Sequence, residues 1–548
     1  MKQTNKKAIL LLLPFLLMLM LPMSGLSVYA EKADTGALTY EIKNGTAIVT
    51  GYNKEAKGEL TIPSTYKQCK VVGIADEAFS GCENLMSVTI PSGVTSIGSK
   101  AFFGCKNVTS ISIPATVTTI SDAAFYQCKA LTSITIPKSV TSIGATAFRD
   151  CTQLVSINVD DNNPAYCDEN GILFNKDKTS LVAHPADHGN TIYTIPDGVK
   201  TIEQRAFSGC EKLTKVTIPE SVTTIGSGAF HFCSHLTTIN IPKGITVIDF
   251  GVFSSCVSLA SITIPKGVTS IGQSAFSSCS ALTSIKIPNG VVTIGKNAFS
   301  NCSSLTMVTI PESVTTIDEG AFSFCTALTR VEIPNSVIAL GQRAFFGCTA
   351  LRKATLGDGI RGIGKETFAG CWKLLVVEMP ETIVAIDEYA FHYCMNLTEI
   401  TLPASVTTIG FGAFDGCSSL ISIDIPVGIF DLPGSVFRGC TSLESVNIPN
   451  NLKSIASGAF FGCKGLKDVH YDGTDYRKSA IEFGDNNAEL QAAQWHFSGR
   501  EEEKLPVQQV ESVLAKSKFS WKKMAGFIAA VLLIGGVMAL LFRDKTRY

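Results

Sequence analysis

Two residue types could do chemistry in this chain: cysteine, present 18 times, and histidine, present 7 times. Sixteen of the cysteines fall on two series of one period. Cys82, Cys105, Cys128 and Cys151 follow one another at a constant period of 23, and from Cys210 to Cys463 a cysteine recurs at every further step of 23. Thiols spaced by one structural repeat would stand in a column at the strand-to-strand distance of about 4.8 Å, close enough to be bridged as disulfides. Cysteine is also a small side chain that buries well, and a column of reduced, buried thiols is the reading favoured here. Cys69 and Cys167 lie off the series and are the candidates for a reactive or bridged pair. The histidines offer less. His184 and His188 stand in an H-P-A-D-H run, a spacing that puts two ligands on one helix face, but Pro185 argues against a helix and no third ligand follows. No metal and no cofactor are expected. With no G-x-S-x-G, Walker or paired-carboxylate arrangement in the chain, the sequence argues against an enzyme.

The element that must position these residues is a repeat. The segment from Ala78, AFSGCENLMSVTIPSGVTSIGSK, gives way after one period to AFFGCKNVTSISIPATVTTISDA, and no insertion occurs from Cys210 to Cys463. Cys151 and Cys210 are 59 apart, two periods with a surplus of 13, so one unit there is degenerate. Within a unit the pattern is A-F-x-x-C-x-x-L-x-x-I-x-I-P-x-x-V-x-x-I-G-x-x. The β-branched I-x-I step alternates as a strand does, with both apolar residues on one face. Pro closes it, V-x-x-I is read as a turn, and AFxxC returns as a turn or short helix. One such unit cannot bury its apolar side, and stacked units bury it on their neighbours. The fold class expected is a leucine-rich-repeat solenoid of about 17 units between Ala78 and His470, with parallel β strands on the concave side and turns or short helices on the convex side, roughly 80 Å long. The DENG turn (168–171) between Tyr166 and Ile172 reads as a hairpin projecting from it.

The flanks set the compartment. Residues 1–30 combine Lys2, Lys6 and Lys7 with an apolar run and a Val28-Tyr29-Ala30 ending, the form of a secretory signal peptide of bacterial type. Met524 to Phe542 carries no charge over about the ~20 residues that a transmembrane helix requires, and Arg543, Lys545 and Arg547 follow as a cytoplasmic tail (543–548). Between them the sequence divides into an N-terminal β cap (31–77), the solenoid (78–470, irregular at about 160–196), a C-terminal cap (471–498) and a polar linker (499–523). Lys and Arg number 46 against 47 Asp and Glu, so no global field draws nucleic acid. Sequons at Asn44, Asn107, Asn301 and Asn396 are silent in a bacterium.

The LxxIxIPxxVxxIGxxAFxxC unit, over roughly residues 36–498, resembles the BspA-type leucine-rich repeat of cell-surface proteins. The flanking ALTYEIKNGTAIVTGY (37–52), NPAYCDENGILFNKDKTSLVAHP (163–185) and DVHYDGT (468–474) resemble segments such proteins carry. The resemblance implies a surface protein that adheres to host proteins or other cells, without enzymatic activity or cofactor. Partners are then extracellular proteins or cell surfaces, with the membrane reached through the C-terminal helix, and neither nucleic acid nor a small-molecule substrate. No LPxTG-like motif offers a covalent cell-wall link.

A binding face would use the two exposed positions flanking the first I of I-x-I. Up to about residue 284 these columns are mostly Ser and Thr. Beyond it they include Lys286, Met307, Arg330, Glu332, Lys353, Val376, Glu378 and Glu399, which are the candidate partner-binding residues because anchors and charges, not small hydroxyls, make interface hot spots. The competing reading is a sheet surface whose charges only keep it soluble, in a spacer or surface antigen without a specific ligand.

Overall fold

The computed structural model describes residues 38–499. The expected signal peptide, spanning helix and cytoplasmic tail, and the polar linker beyond its first residue, lie outside the described residues. Among the described residues no helix is long and apolar enough to cross a membrane.

Each period of the sequence becomes one turn of a parallel β-solenoid. The I-x-I step forms the expected strand: Ser284–Lys286 pairs in parallel with Met307–Thr309, and Ser284, Ile285 and Lys286 oppose Met307, Val308 and Thr309. The V-x-x-I stretch is not merely a turn. Its last two residues form a second strand, as where Thr293–Ile294 pairs in parallel with Thr316–Ile317. The proline makes this possible: Val291 N–H donates to Pro288 O at 3.2 Å, turning the chain so that the next residues align with the neighbouring unit.

The AFxxC stretch forms turns rather than short helices. In the unit at Phe299, Asn297 just before the stretch and Asn301 within it both take left-handed φ, +54° and +60°, and two such residues break a right-handed helix. The backbone donors go sideways instead. Phe299 N–H donates to Ala321 O at 2.8 Å and Asn301 N–H to Ser323 O at 2.8 Å, so even the turns are stitched to the next unit. The two described α-helices, Asp475–Lys478 and Ala488–Ala492, both belong to the C-terminal cap.

There are about 20 turns rather than 17, because the flanks and the irregular segment supply rungs of their own. Gly58–Thr61 joins Leu85–Thr89 at one end, and Gln494–Phe497 joins Asp468–Tyr471 at the other. In the first flank, Leu38–Lys43 and Thr46–Tyr52 pair antiparallel, as the alternation suggests, and Thr46–Tyr52 then pairs in parallel with Cys69–Ile74.

Since equivalent residues stack, the core is a set of columns of like side chains. Phe276, Phe299, Phe322 and Phe345 are all fully buried, with ring centroids 5.3 to 5.5 Å apart and nearly parallel planes. The hydroxyl positions beside the strands are structural as well: Thr306 Oγ1 donates to Thr283 O at 3.1 Å and Thr118 Oγ1 to Thr95 O at 3.1 Å, each across one period.

Among the described residues the strand ladders break at several units, and three of these breaks shape the surface. Near residue 240 the Asn240 side chain takes the place of a strand partner, accepting from Ile218 N–H at 2.8 Å and donating to Ile218 O at 2.7 Å. The next I-x-I step, 262–264, forms no strand, although the turns remain joined through Phe230 N–H to Val252 O at 2.9 Å. A second lapse falls at 399–401. The third is the degenerate unit. Its hairpin, Tyr166–Glu169 against Ile172–Asn175, does not project. Ile172, Leu173 and Phe174 are 2%, 0% and 0% exposed, and Leu173 packs with the N-terminal core while Ile172 and Phe174 pack with the C-terminal one. The hairpin is a wall between two hydrophobic cores, and an unbroken apolar run suits a strand buried on both faces.

The segment beyond the hairpin returns to register. Ala183 and His184 lie one period before Ala206 and Phe207, and His184 N–H donates to Ala206 O at 2.7 Å as a phenylalanine does elsewhere. Its imidazole stacks on Phe207 with centroids 5.0 Å apart. His184 thus occupies a phenylalanine position, and burial, followed by the nearby His188, pushes its pKa down to about 3.

The sign follows from linkage. A folded-state pKa below the ordinary 6.5 gives stability that is complete above pH 6.5 and lost as pH falls toward 3. His184→Phe should therefore gain up to about 2–3 kcal/mol over the wild type at pH 4.5 relative to pH 7.5, read as convergence of the two Tm–pH curves near neutrality and divergence in acid. Parallel curves would contradict this account.

Candidate functional site

The cysteine column is a core element. All 18 cysteines are free thiols, 16 of them buried. From Cys105 onward the column thiols reach a carbonyl of the preceding unit, that of a phenylalanine in every case but Cys210, which meets His184: Cys302 Sγ donates to Phe276 O at 3.2 Å, and Cys151 Sγ to Phe125 O at 3.0 Å. These carbonyls belong to the phenylalanines whose N–H groups stitch the turns, so the thiol fills space and satisfies a second lone pair. Burial pushes the Cys302 and Cys348 thiols up to about 12 and Cys82 up to about 11. That removes the thiolate needed for nucleophilic or redox chemistry.

Cys69 and Cys167 are half-buried and not bridged. Cys167 Sγ donates to Asn175 O across the hairpin at 3.3 Å, and burial raises its pKa too. His184 and His188 do come together, with ring centroids 5.0 Å apart. His184 Nδ1 is 3.0 Å from Pro185 O and His188 Nε2 2.7 Å from Asn170 O. No group of three or more potential metal ligands exists among the described residues.

The candidate face is built from the I-x-I strands, whose alternation turns every second side chain outward. Lys286, Met307, Arg330, Glu332, Lys353, Val376, Glu378 and Glu399 are all exposed. Register brings Arg330 beside Lys353 and Lys353 beside Val376, while Glu332 and Glu378 flank Thr355. Lys353 Nζ meets Glu378 Oε1 at 2.7 Å, and Thr355 Oγ1 donates to Glu378 Oε2 at 2.8 Å. These two bonds, Lys353 first, lower the Glu378 pKa. Arg330 sits with Nη2 3.9 Å from Met307 Sδ. Glu399 falls at the second strand lapse and is not held in a paired strand.

The two columns alone miss an apolar cluster at their edge. Trp372 (52% exposed), Leu375 (38%), Val376 (40%) and Met395 (39%) lie on two stacked units, joined where Asn396 N–H donates to Trp372 O at 3.1 Å. Trp372 and Met395 occupy the position after the cysteine, where most units carry Glu, Lys, Ser or Thr. That departure was the available signal. The hydroxyl-rich part of the face, where nothing was expected, holds a cleft of about 750 Å³ at the first strand lapse. Thr238, Asn240, Ile262 and Thr263 line it, with Glu220, Lys243 and Lys266 at its rim.

Away from this face, charges are paired along the stack. Lys296 with Glu319, Arg343 with Glu366, and Lys365 with Glu388 each meet at 2.8 Å across one period. Such exposed pairs contribute little each, but they relieve the repulsion that stacking like charges would cause.

The thiol geometry predicts the alkylation pattern. In the native protein, iodoacetamide followed by peptide mass spectrometry should label Cys69 and Cys167 first and the 16 column cysteines only after denaturation. Native labelling of Cys302 at a rate similar to Cys69 would contradict the burial described.

Several solved structures resemble the chain. A leucine-rich repeat protein from Bacteroides ovatus is 27% identical, with 79% of this chain and 98% of that chain covered and a TM-score of 0.44. A leucine rich cell surface protein from Faecalibacterium prausnitzii is 26% identical, with 82% and 97% covered and a TM-score of 0.34. A leucine-rich repeat protein from Bacteroides capillosus is 31% identical over 24% of this chain and 99% of that chain, with a TM-score of 0.22. No curated protein matches. The model of the BspA type leucine rich repeat region matches in 6 copies, over residues 56–169, 189–305, 247–375 and 361–481. With its period, two-strand turns and phenylalanine and cysteine columns so accounted for, the chain belongs to the BspA-type leucine-rich repeat family.

Proposed function

We propose that the chain is a membrane-anchored cell-surface protein that binds other macromolecules, adhering to host matrix proteins or to other cells through the I-x-I face between residues 286 and 399. One observation carries this reading. Met307, Trp372, Leu375, Val376 and Met395 stand exposed on and beside a face that elsewhere presents Ser and Thr. Solvating a sheet needs no such side chains, whereas an interface is anchored by buried aromatic and apolar groups with arginine among them. Arg330 adds to this as an exposed guanidinium on the same face, the side-chain type enriched among interface anchors. Glu332 and Glu399 at the margins would set orientation, not strength. Membership of the BspA-type family supports a surface role.

The experiment is binding of the purified full-length protein to immobilised matrix proteins and to whole cells, compared with Trp372→Ala/Val376→Ser and Arg330→Glu. Saturable binding is expected, weakened about 30-fold or more in the double variant and losing its salt dependence in Arg330→Glu. Binding that survives both variants would move the interface elsewhere, with the cleft at Thr238–Thr263 the next surface to alter. No saturable binding to any surface would favour the spacer or antigen reading.

A further inference from the structure

We propose that the seam where the degenerate unit interrupts the solenoid binds a small inorganic anion of halide size. Between ordinary units the phenylalanine N–H donates to the next alanine carbonyl, as Phe125 does to Ala147 O at 2.9 Å and Phe207 to Ala229 O at 2.7 Å. From Phe148 to His184 the chain takes its surplus residues. A cavity of about 30 Å³ lies between the 147–149 and 183–186 turns, room for about two water-sized particles.

Four polar atoms from residues lining that cavity are buried without a hydrogen-bond partner among the described residues: Arg149 Nε, Arg205 Nη1, Ser208 Oγ and His184 Nε2. Ser208 and His184 are 7% and 5% exposed. Buried polar groups in folded proteins are nearly always satisfied, so several unsatisfied ones around one cavity mark a place built for something else. The charge tells what. Two guanidiniums line the seam and one carboxylate, Asp150, stands beside them, its Oδ1 3.7 Å from Arg149 Nε, leaving an excess positive charge. Arg205 and His231 are held below their ordinary pKa values first by burial and then by neighbouring cations, Arg149 for Arg205 and Arg205 with Arg149 for His231. Water satisfies donors but does not offset a half-buried excess charge, whereas an anion does both.

Both arginines are fixed before any ligand arrives. Arg149 lies over the Tyr126 ring, with Cζ 4.9 Å from its centroid. The Arg205 guanidinium fills space that only a glycine leaves, since a Cβ on Gly228 would fall 2.5 Å from Arg205 Nε. The anion accepts from Arg149 Nε–H, Arg205 Nη1–H and the Ser208 hydroxyl. Neutral His184, whose Nδ1–H donates to Pro185 O at 3.0 Å, has only a lone pair at Nε2 and donates nothing to the anion, which the two guanidiniums and Ser208 hold, and the small volume selects a halide over larger oxyanions. Arg149 belongs to the N-terminal block and Arg205 and Ser208 to the C-terminal one, so a bound anion fastens the two cores that the hairpin separates.

The test is thermal unfolding of the full-length protein at fixed ionic strength, titrating sodium bromide against sodium methanesulfonate, whose anion is too large for the cavity. The expected result is a saturable, bromide-specific rise in Tm. Arg149→Gln and Ser208→Ala should each raise the half-saturating bromide concentration, the first by about tenfold or more. Should Arg149→Gln not fold, the Ser208→Ala shift and an anomalous bromide peak between the two guanidiniums in crystals grown with bromide decide the matter. Equal Tm in both salts, or a seam holding water only at high bromide, overturns the proposal.

Discussion

Everything in this molecule depends on one parallel hydrogen-bond register, held at the sequence period from each turn to the next. In the regular units each strand residue meets its own equivalent one period on, and the turns are bonded to the next unit in the same repeating way. In such a lattice each side chain stacks upon its own equivalent, so the sequence is tolerable only where a residue type packs well against itself. Phenylalanine does, as parallel offset rings; cysteine does, because a thiol is small and finds a carbonyl in the preceding unit; threonine does, because its hydroxyl bonds the neighbouring backbone. Charges do not, which is why Lys296, Arg343 and Lys365 each face a glutamate one period on. Glycine is required where a left-handed turn residue lies under the aromatic ring of the unit before: Gly416 has φ of +75°, and a Cβ there would fall 2.5 Å from the Tyr393 ring.

The places where register fails are then the informative ones. A solenoid's stability is a sum of unit and nearest-neighbour terms, so each lapse is a weak joint and also an opening. At Asn240 a side-chain amide substitutes for a strand and a cleft results. At 399–401 the sheet lapses next to the exposed apolar cluster of Trp372 and Met395. At the degenerate unit the hairpin separates two cores and leaves a cationic seam. The regular units hold the shape, and the irregular ones carry whatever distinguishes this protein from an ideal repeat.

Much of this was written plainly in the chain. The period, the strand at I-x-I, the burial of the cysteines and the stacking of units all follow from apolar spacing, because a pattern so strict has one way to bury itself. The His184 substitution was legible by counting one period back from Phe207, and the burial of Ile172-Leu173-Phe174 by its lack of alternation; neither was expected, because a stretch that breaks the period invites reading as an insertion. The second strand at Thr293–Ile294 was hidden by its length, since so short a strand cannot show a periodicity. Helix and turn could not be separated at AFxxC, where the donors' destination lies in another unit.

The sequence by itself determined the lattice: which residues are inside, which face outward, and that equivalent positions stack, since one-dimensional repetition makes long-range contacts local in register. Only the tertiary structure decided how the exceptions resolve. Whether Lys353 is free or held by Glu378, whether Asn240 closes a strand or opens a cleft, and where Arg149 and Arg205 converge from either side of the degenerate unit depend on side-chain geometry between non-equivalent positions. Repetition carries no information about those.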